Sequence, residues 1–423
     1  MPLIDQTLPA LSDTLVPPIV RGTADLTSFA YQGNDHDALM QRIETSTAPN
    51  PALARQAAQT YDAAIALQLG FRRAEGLNLQ DTALDASPLW RVGGAPQGAP
   101  RDALRLLALV GPGDLMTNTP LDFLTNHLNV RLDLLYLLPD RPLPASIPDH
   151  DAAFFALGEA DPATLARLRR LFAAWPRPVL NDPSFLPALE RDTLSRSLAG
   201  IASIASPTAV ATSRAALQAH LDTGCPIQGF DTPTGPYPCL IRPIGSHAGA
   251  GLSRVTNPAE LANYLRFCFD RQFFLTAFHD YQGADGLYRK SRVGFIDRQP
   301  FLCHMAISQH WMVHYLNADM TESAAKRAEE AAAMAEFDHG FARRHQAAFA
   351  ALHERLGFDF YSIDCAETPD GRLLVFEADA AAIIHLMDPP NLFPYKQPQM
   401  RKVFAAFEAM LRRRAAAPRA AAA

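Results

Sequence analysis

Three apolar runs, each the length of a buried strand, constrain most strongly how this 423-residue chain can fold. Residues 104–110 are almost continuously apolar and end at Gly111-Pro112-Gly113, and residues 132–138 and 152–157 repeat the pattern. Segments with helical spacing lie between these runs. Buried strands that alternate with helices are typical of a parallel sheet covered by helices on its faces. The sequence therefore predicts a small parallel α/β unit in this part of the chain.

Composition and charge exclude several classes of function. The formal net charge of −6 argues against a general nucleic-acid binder, which needs a basic surface. The chain contains no run of about 18 apolar residues, so no membrane span is predicted. The N-terminus lacks a signal-peptide pattern, and the five cysteines are dispersed as in proteins of a reducing compartment. These features predict a cytoplasmic location.

A strand–turn–strand segment near the C-terminus carries three carboxylates. Asp364 belongs to the first strand, and Glu377 and Asp379 end the second. Because side chains alternate along a strand, Glu377 and Asp379 share one face, and the turn brings Asp364 close to Glu377. Like charges beside an apolar strand are costly unless a cation compensates them, and Mg²⁺ prefers carboxylates together with substrate phosphates. The alternative is three solvent-exposed carboxylates at strand ends.

A glycine-rich loop follows the predicted strand at residues 239–244. Arg242 lies on the strand, and Ser246, Gly249 and Gly251 lie in the loop. Small residues allow backbone N–H groups to approach phosphate oxygens closely. The pattern is not a Walker A motif, because G-x-x-x-x-G-K-[ST] does not occur. A phosphate-binding loop and an ordinary flexible hairpin loop both remain open.

Other cations are candidates for binding an anion. Lys290 and Arg292 are two residues apart on a predicted strand and therefore share a face, which suits recognition of an anionic substrate. A solvated hairpin tip is the alternative. Arg191 is a further candidate, although an exposed helical arginine is equally consistent with the sequence.

Two further patterns are less specific. His310 and His314 have the spacing of zinc ligands on a helix, but no third ligand follows at a metalloprotease spacing. Residues 304–319 are better explained as part of an acceptor pocket, and His385 is another pocket candidate. Gly111-Pro112-Gly113 lacks the third glycine of a dinucleotide-binding loop, so we interpret it as a turn.

Taken together and in this order, the motifs in residues 103–412 resemble the ATP-grasp superfamily, in particular its RimK-type, glutathione-synthetase-like and D-alanine–D-alanine-ligase-like members. In that family an Asp and a following Glu-x-Asn bind two magnesium ions. Asp364 and Glu377 match the first two ligands, and Asp379 stands where Asn is usual. The resemblance implies an α/β plus α+β architecture, the ATP-grasp fold. The predicted units are an N-terminal region (1–100), a pre-ATP-grasp domain (101–183), an ATP-grasp domain of two subdomains (184–412) and a disordered tail (413–423). Within the N-terminal region, residues 1–50 are predicted to be extended or partly disordered, a helical hairpin follows from residue 51, and residues 85–100 form a linker. Within the ATP-grasp domain, Asn257 is predicted to cap a helix whose first position is Pro258.

The resemblance also implies roles for individual residues. Arg242 stands where the family has a phosphate-binding Lys beneath the glycine-rich loop, and Arg191 where RimK-type chains carry a second cation. Arg292, or Lys290 as the second choice, is expected to face the transferred phosphate. The hinge strand lacks the acidic residue that the family uses for the ribose, and Asp280 is its predicted replacement.

The function implied is that of a Mg-ATP-dependent ligase. A small-molecule or peptide carboxylate would attack the γ-phosphate to give an acyl phosphate, which an amine or thiol would then displace. Two alternatives follow from the departures from the family pattern: a regulatory or peptide-binding protein on a degenerate fold, and an ATP-dependent phosphotransferase. The first hundred residues are expected to recruit a peptide, close a homodimer or cap the fold, and the sequence leaves these alternatives open.

Overall fold

The N-terminal region contains more helix than its sequence suggested. The structure is a computed structural model that describes residues 7–93, 102–232, 235–246 and 249–417. Its first elements are β1 (Ala10–Ser12), β2 (Ile19–Val20), α1 (Thr23–Tyr31), α2 (His36–Glu44), α3 (Ala52–Leu69), α4 (Arg73–Ala86) and β3 (Leu89–Val92). The helical hairpin predicted after residue 51 is confirmed by α3 and α4. The extended, partly disordered segment predicted for residues 1–50 is wrong in its described part: Asp35 caps α2, and Leu39 and Ile43 bury one side of that helix.

The parallel sheet predicted from the three apolar runs is confirmed. Its elements are β4 (Leu104–Val110), α5 (Leu121–Thr125), β5 (Val130–Tyr136), β6 (Ser146–Pro148), β7 (Ala152–Phe155), α6 (Pro162–Ala174) and β8 (Val179–Leu180). The six-stranded sheet has the order β2-β3-β5-β4-β7-β8, and all its pairs are parallel except β3 with β5. Strand β3 lies where a linker was predicted for residues 85–100. Trp90, which is fully buried, anchors this strand; residues 94–100 lie outside the described part.

A four-stranded antiparallel sheet follows. A 3₁₀ helix (Pro183–Leu189) precedes α7 (Arg191–Leu198), β9 (Ile204–Ala205), β10 (Ala209–Ser213), α8 (Arg214–Thr223), β11 (Cys239–Pro243), β12 (Ser253–Val255), α9 (Pro258–Phe267) and β13 (Gln272–Ala277). The strand order is β10-β13-β11-β12. Helices α8 and α9 bury Leu217 and Leu261 against Phe273 of this sheet. The predicted cap of α9 is confirmed, because the Asn257 side chain accepts a hydrogen bond from the Glu260 amide.

A five-stranded sheet completes the fold. Its segment contains β14 (Tyr288–Ile296), β15 (Gln299–Ser308), a 3₁₀ turn (Tyr315–Asn317), α10 (Ala324–Glu336), α11 (Phe341–Arg344), α12 (Gln346–Leu356), β16 (Phe360–Glu367), β17 (Leu373–Asp379) and α13 (Lys396–Ala416). The order is β15-β14-β16-β17-β9, antiparallel except where β9 joins β17. Helix α13 continues to Ala416, past the predicted start of a disordered tail at residue 413, because Ala and Arg are strong helix formers. The rest of that tail, 418–423, lies outside the described part.

Specific contacts fix the parallel sheet against the five-stranded sheet. The Asn181 side chain exchanges two hydrogen bonds of 2.8 Å with the Phe360 backbone. The Thr119 hydroxyl donates to the Ala380 carbonyl at 2.7 Å, just beyond the carboxylate strand β17. Phe154 and Phe360 also pack with Phe407 of α13. The segment after residue 379 is therefore held in place from the parallel sheet. None of the helices in the described ranges is long and apolar enough to cross a membrane.

Candidate active site

A cavity of about 340 Å³ lies where the two antiparallel sheets meet. Strands β11 and β13 of the four-stranded sheet contribute Arg242 and Thr276, and strands β14 and β17 of the five-stranded sheet contribute Arg292 and Glu377. Met116, from the loop after β4, also lines the cavity. Three parts of the fold thus converge on one space that contains both arginines and carboxylates.

The carboxylate hairpin forms as predicted. Strands β16 and β17 pair antiparallel, with Asp364 directly opposite Glu377 and Ser362 opposite Asp379. The register shifts between Asp364 and Cys365, which is the signature of a β-bulge. Bulges re-aim side chains next to functional sites. Asp364, Glu377 and Asp379 all line the cavity.

Asp364 is held by two cations from the neighbouring strand. Arg292 lies opposite it on β14, and its Nε and Nη2 donate to the two carboxylate oxygens at 2.8 and 3.1 Å. Lys290 Nζ donates to the same carboxylate at 3.0 Å. Burial raises the pKa of Asp364, which is 3% exposed, but the charges of Arg292 and Lys290 outweigh burial and hold the pKa well below its ordinary value. Asp364 is therefore ionised and paired.

Glu377 and Asp379 differ in their partners. Burial raises the pKa of Glu377, but the charges of Arg191, Lys290 and Arg292 together outweigh burial and hold the pKa below its ordinary value. The Arg191 guanidinium also donates a hydrogen bond to the Glu377 carboxylate. Asp379 accepts a hydrogen bond from the Ala381 amide at 2.6 Å. Burial, together with the charge of Glu377, raises the pKa of Asp379 to about 6 despite this bond. Asp379 is the least compensated carboxylate of the three.

The magnesium site predicted for the three carboxylates stays a prediction. Within the described ranges, no group of three or more His, Cys, Asp or Glu side chains is placed to hold a metal ion. Asp364 faces Lys290 and Arg292, and Glu377 faces Arg191. The prediction treated the hairpin alone, whereas the pairing of β14 with β16 directs two cations at Asp364. A set of three protein carboxylates around one metal therefore does not fit this arrangement.

Arg242 carries a buried positive charge without a carboxylate partner. The residue is 9% exposed, and among the described residues no carboxylate forms an ion pair with it. Its Nε donates to the Ser246 hydroxyl at 3.1 Å, and Nη2 donates to the Ser246 carbonyl. Burial and the nearby charge of Arg191 together lower the pKa of Arg242 to about 10, although the charge of Glu377 acts in the opposite direction. A buried, unmatched cation of this kind favours the binding of an anion.

The glycine-rich loop is packed closely where it meets the cavity. Gly249 lines the cavity with a φ of 76°, and a Cβ there would lie 2.6 Å from His314 Nε2. Gly251 has a φ of 67°, and its Cβ would lie 2.7 Å from Pro243 Cδ. Both positions therefore require glycine. Ser246 accepts the hydrogen bonds of Arg242 but does not line the cavity. Gly251 is also outside the cavity lining.

Phe278 and Trp311 form an aromatic wall of the cavity. Phe278 and Trp311 pack edge to face with their ring centroids 5.9 Å apart, and the Arg254 guanidinium lies 4.0 Å from the Phe278 centroid. His314 also lines the cavity, as expected for the histidine-rich segment. Asp280, predicted to contact a ribose, is exposed and lies outside the cavity lining. It follows a strand that ends at Ala277, and its carboxylate accepts from the Gln282 amide of its own turn.

The sequence missed Met116 and the aromatic wall. Met116 lies in the loop after β4, 75 residues before Arg191, which is the next cavity residue in sequence order. It reaches the cavity only because the sheets converge in space. Phe278 and Trp311 lie in different segments, and no local pattern links them. The position of Phe278, at the end of the predicted hinge strand, was the one sequence feature that could have indicated a cavity residue.

Comparisons with known proteins place the chain among distant structural neighbours. No protein-family model matches the sequence, and no curated protein matches it. A RimK domain protein ATP-grasp from Sphaerobacter thermophilus is 18% identical, with 72% of this chain and 99% of that chain covered and a TM-score of 0.39. A D-alanine–D-alanine ligase from Bacillus anthracis complexed with ATP is 13% identical, with 74% of this chain and 99% of that chain covered and a TM-score of 0.42. The VanG D-Ala:D-Ser ligase from Enterococcus faecalis is 14% identical, with 73% of this chain and 100% of that chain covered and a TM-score of 0.44.

Two antiparallel sheets that enclose a cavity, after a parallel α/β unit, are the arrangement that the sequence predicted. The predicted fold class is confirmed at the level of its sheets, parallel first and antiparallel afterwards. The predicted carboxylates and the cations Arg191, Arg242, Lys290 and Arg292 line the same cavity.

The raised pKa of Asp379 predicts a pH-dependent gain in stability for an Asp379→Asn variant. A carboxyl whose folded pKa is raised stabilises the fold below its ordinary pKa of 3.8, and this contribution is lost as the pH rises through about 6. Asparagine keeps the acceptor for the Ala381 amide and has no charge to bury. Chemical denaturation at several pH values should show the variant gaining stability over the wild type as the pH rises through this window. A difference that is independent of pH would contradict the assignment, and Asp280→Asn controls for the loss of one exposed charge.

Proposed function

We propose that this chain is an ATP-dependent ligase that activates a carboxylate as an acyl phosphate and joins it to an amine or thiol. The observation that carries the proposal is the buried guanidinium of Arg242, without a carboxylate partner in the described chain, at a cavity between two sheets. A buried charge that lacks a partner is costly. The phosphates of a nucleotide would supply the missing negative charge. The aromatic wall of Phe278 and Trp311 suits a flat heteroaromatic base.

The cations divide into a binding pair and a reacting pair. Arg242 and Arg191 would bind phosphate oxygens, and Arg191 would exchange its bond to Glu377 for one to the nucleotide. Arg292 and Lys290 would stabilise the charge on the transferred phosphoryl group and the acyl phosphate. Arg292 is held by Asp364 and by the Ile383 carbonyl at 3.4 Å, so its orientation is fixed before the substrate arrives. Fixed donors of this kind stabilise charge without reorganising during the reaction.

A divalent ion fits this site only in part. Magnesium, when bound with ATP, neutralises charge on the phosphates. Glu377 and Asp379 share one face of β17 and line the cavity, so they are the residues that would hold such an ion together with phosphate oxygens. Asp364 is occupied by its two cations. The carboxylate substrate, whether a small molecule or a peptide, and its acceptor would enter next to Arg292 and Lys290.

The experiment that tests the proposal measures ADP formation from ATP with panels of carboxylates and amines. We expect ADP release to require a carboxylate, and hydroxylamine in place of the amine to trap the acyl phosphate as a hydroxamate. The Asp364→Ala variant should lose turnover because Arg292 and Lys290 would lose their anchor. A phosphorylated product that survives hydroxylamine would indicate a phosphotransferase instead. Full turnover in Asp364→Ala would contradict the assigned reacting pair.

A further inference from the structure

We propose that Lys290 and Arg292 take the place of a metal ion at Asp364, so that the nucleotide site holds a single divalent ion, at Glu377 and Asp379. The sequence resemblance implied two ions and gave Asp364 to the metal. The inference rests on the proposed function, because it concerns the ion that accompanies the nucleotide. The register of the sheet, the acceptor capacity of Asp364 and the balance of charge in the cavity support it.

The pairing of Asp364 with its cations is built into the backbone. Arg292 and Asp364 are direct partners on the adjacent antiparallel strands β14 and β16. Directly opposite residues on one face of such a pair lie close enough for their side chains to interact. Lys290 is two residues before Arg292 and shares its face. The register also shifts just after Arg292 in its pairing with β15 and just after Asp364 in its pairing with β17. The ion pair therefore follows from strand register and does not require a mobile side chain to find a partner.

The carboxylate of Asp364 has little acceptor capacity left for a metal. An ionised carboxylate offers about four lone-pair directions. Three are used, one on Oδ1 by Arg292 Nε and two on Oδ2 by Arg292 Nη2 and Lys290 Nζ. A metal that bound Asp364 would have to displace a cation, and a displaced Arg292 would lose its buried partner. Breaking a buried ion pair in this way is strongly unfavourable.

The balance of charge also excludes a second divalent ion here. Asp364 is negative, whereas Lys290 and Arg292 together carry two positive charges, so the local charge is already positive before a metal approaches. A divalent cation would be repelled at a distance where the interior screens charge poorly. Glu377 and Asp379 provide the opposite environment. The charge of Arg292 acts on both, but among the described residues Arg191 is the cation that donates a hydrogen bond to Glu377, and none donates to Asp379. Once Arg191 moves to the phosphates, both carboxylates keep acceptor capacity for an ion.

The experiment measures how many manganese ions the full-length chain binds. Equilibrium dialysis or electron paramagnetic resonance would count the bound Mn²⁺ in the presence of a saturating, non-hydrolysable ATP analogue, and a fluorescent analogue would count the nucleotide. We expect about one Mn²⁺ per bound nucleotide, the ratio for a site with two free carboxylates. About two Mn²⁺ per nucleotide would overturn the inference and leave the proposed function standing. Failure to bind the nucleotide would overturn the proposed function, and the inference with it.

A variant that frees Asp364 makes the test more specific. In Lys290→Met/Arg292→Met, Asp364 loses both cations, and we expect the ratio to rise from about one toward about two because a carboxylate without a partner attracts Mn²⁺. Arg289→Met is the matched control: Arg289 lies next to Lys290 on β14 and pairs with Asp285 and Glu329. It should leave the ratio unchanged. An unchanged ratio in the double variant, if that variant keeps cooperative unfolding and binds the nucleotide, would overturn the inference.

Discussion

Replacement of Arg242 by methionine should weaken ATP binding by at least 30-fold. Methionine keeps the apolar stem of the side chain and removes the charge. The loss of one buried, charge-assisted contact to a phosphate costs about 2 kcal/mol or more, which corresponds to roughly 30-fold in affinity. The same change should stabilise the free protein or leave its stability unchanged, because Arg242 is buried without a carboxylate partner in the described chain. Opposite effects on binding and on stability would identify Arg242 as a residue kept for an anion.

Isothermal titration calorimetry with Mg-ATP and urea unfolding without nucleotide measure the two effects. Arg271→Met is the control, because Arg271 is exposed, directly precedes strand β13 of the four-stranded sheet and lies outside the cavity lining. It should bind ATP like the wild type. An Arg242→Met variant that binds ATP normally would show that the cavity does not use this charge.

Replacement of Arg292 by methionine should reduce turnover by about 100- to 1000-fold, the range seen when one fixed donor to a developing charge is removed. It should also lower the free energy of unfolding by about 3 kcal/mol, the low end for a broken buried ion pair, because Lys290 remains as a partner for Asp364. The two measurements are ADP formation at saturating substrates and urea unfolding. Both effects follow from one side chain that pairs with Asp364 and faces the cavity.

Arg289→Met is again the matched control for Arg292→Met. Arg289 is on the same strand, but its ion pairs to Asp285 and Glu329 are partly exposed, and such pairs contribute about 0–1 kcal/mol. Its turnover should match the wild type. An Arg292→Met variant that loses stability but keeps its turnover would show that Arg292 is only structural.

The sequence predicted the elements of the fold well where apolar pattern decides them. The apolar run at residues 104–110 coincides with strand β4 at its first and last residue. Asn257 caps α9, as its position directly before Pro258 suggested. Strand β3 was missed because residues 85–100 are dominated by Pro, Gly and Ala, and only the burial of Trp90 reveals the strand. Helices α1 and α2 were missed because each has only a short apolar face of two buried residues. The many polar residues in 1–50 hide that pattern in the sequence.

The sequence predicted which residues form the candidate site, but it did not predict which of them pair with each other. Asp364, Glu377 and Asp379 were found from one hairpin, since a turn and a two-residue period fix their positions. The cations on Asp364 were not, because Arg292 is 72 residues away in sequence and reaches it only through the order of strands in the sheet. Local pattern contains no information on that order. The same limit applies to Arg242, because only the three-dimensional arrangement shows that no carboxylate in the described ranges forms an ion pair with it.

The most direct test of the nucleotide site is a crystal structure of the full chain with a non-hydrolysable ATP analogue and magnesium. We expect phosphate oxygens within hydrogen-bonding distance of Arg242 and Arg191, and the base against Phe278 and Trp311. This expectation would be contradicted by an analogue bound elsewhere on the chain, or by a cavity without nucleotide in crystals soaked at a concentration that saturates the protein in solution.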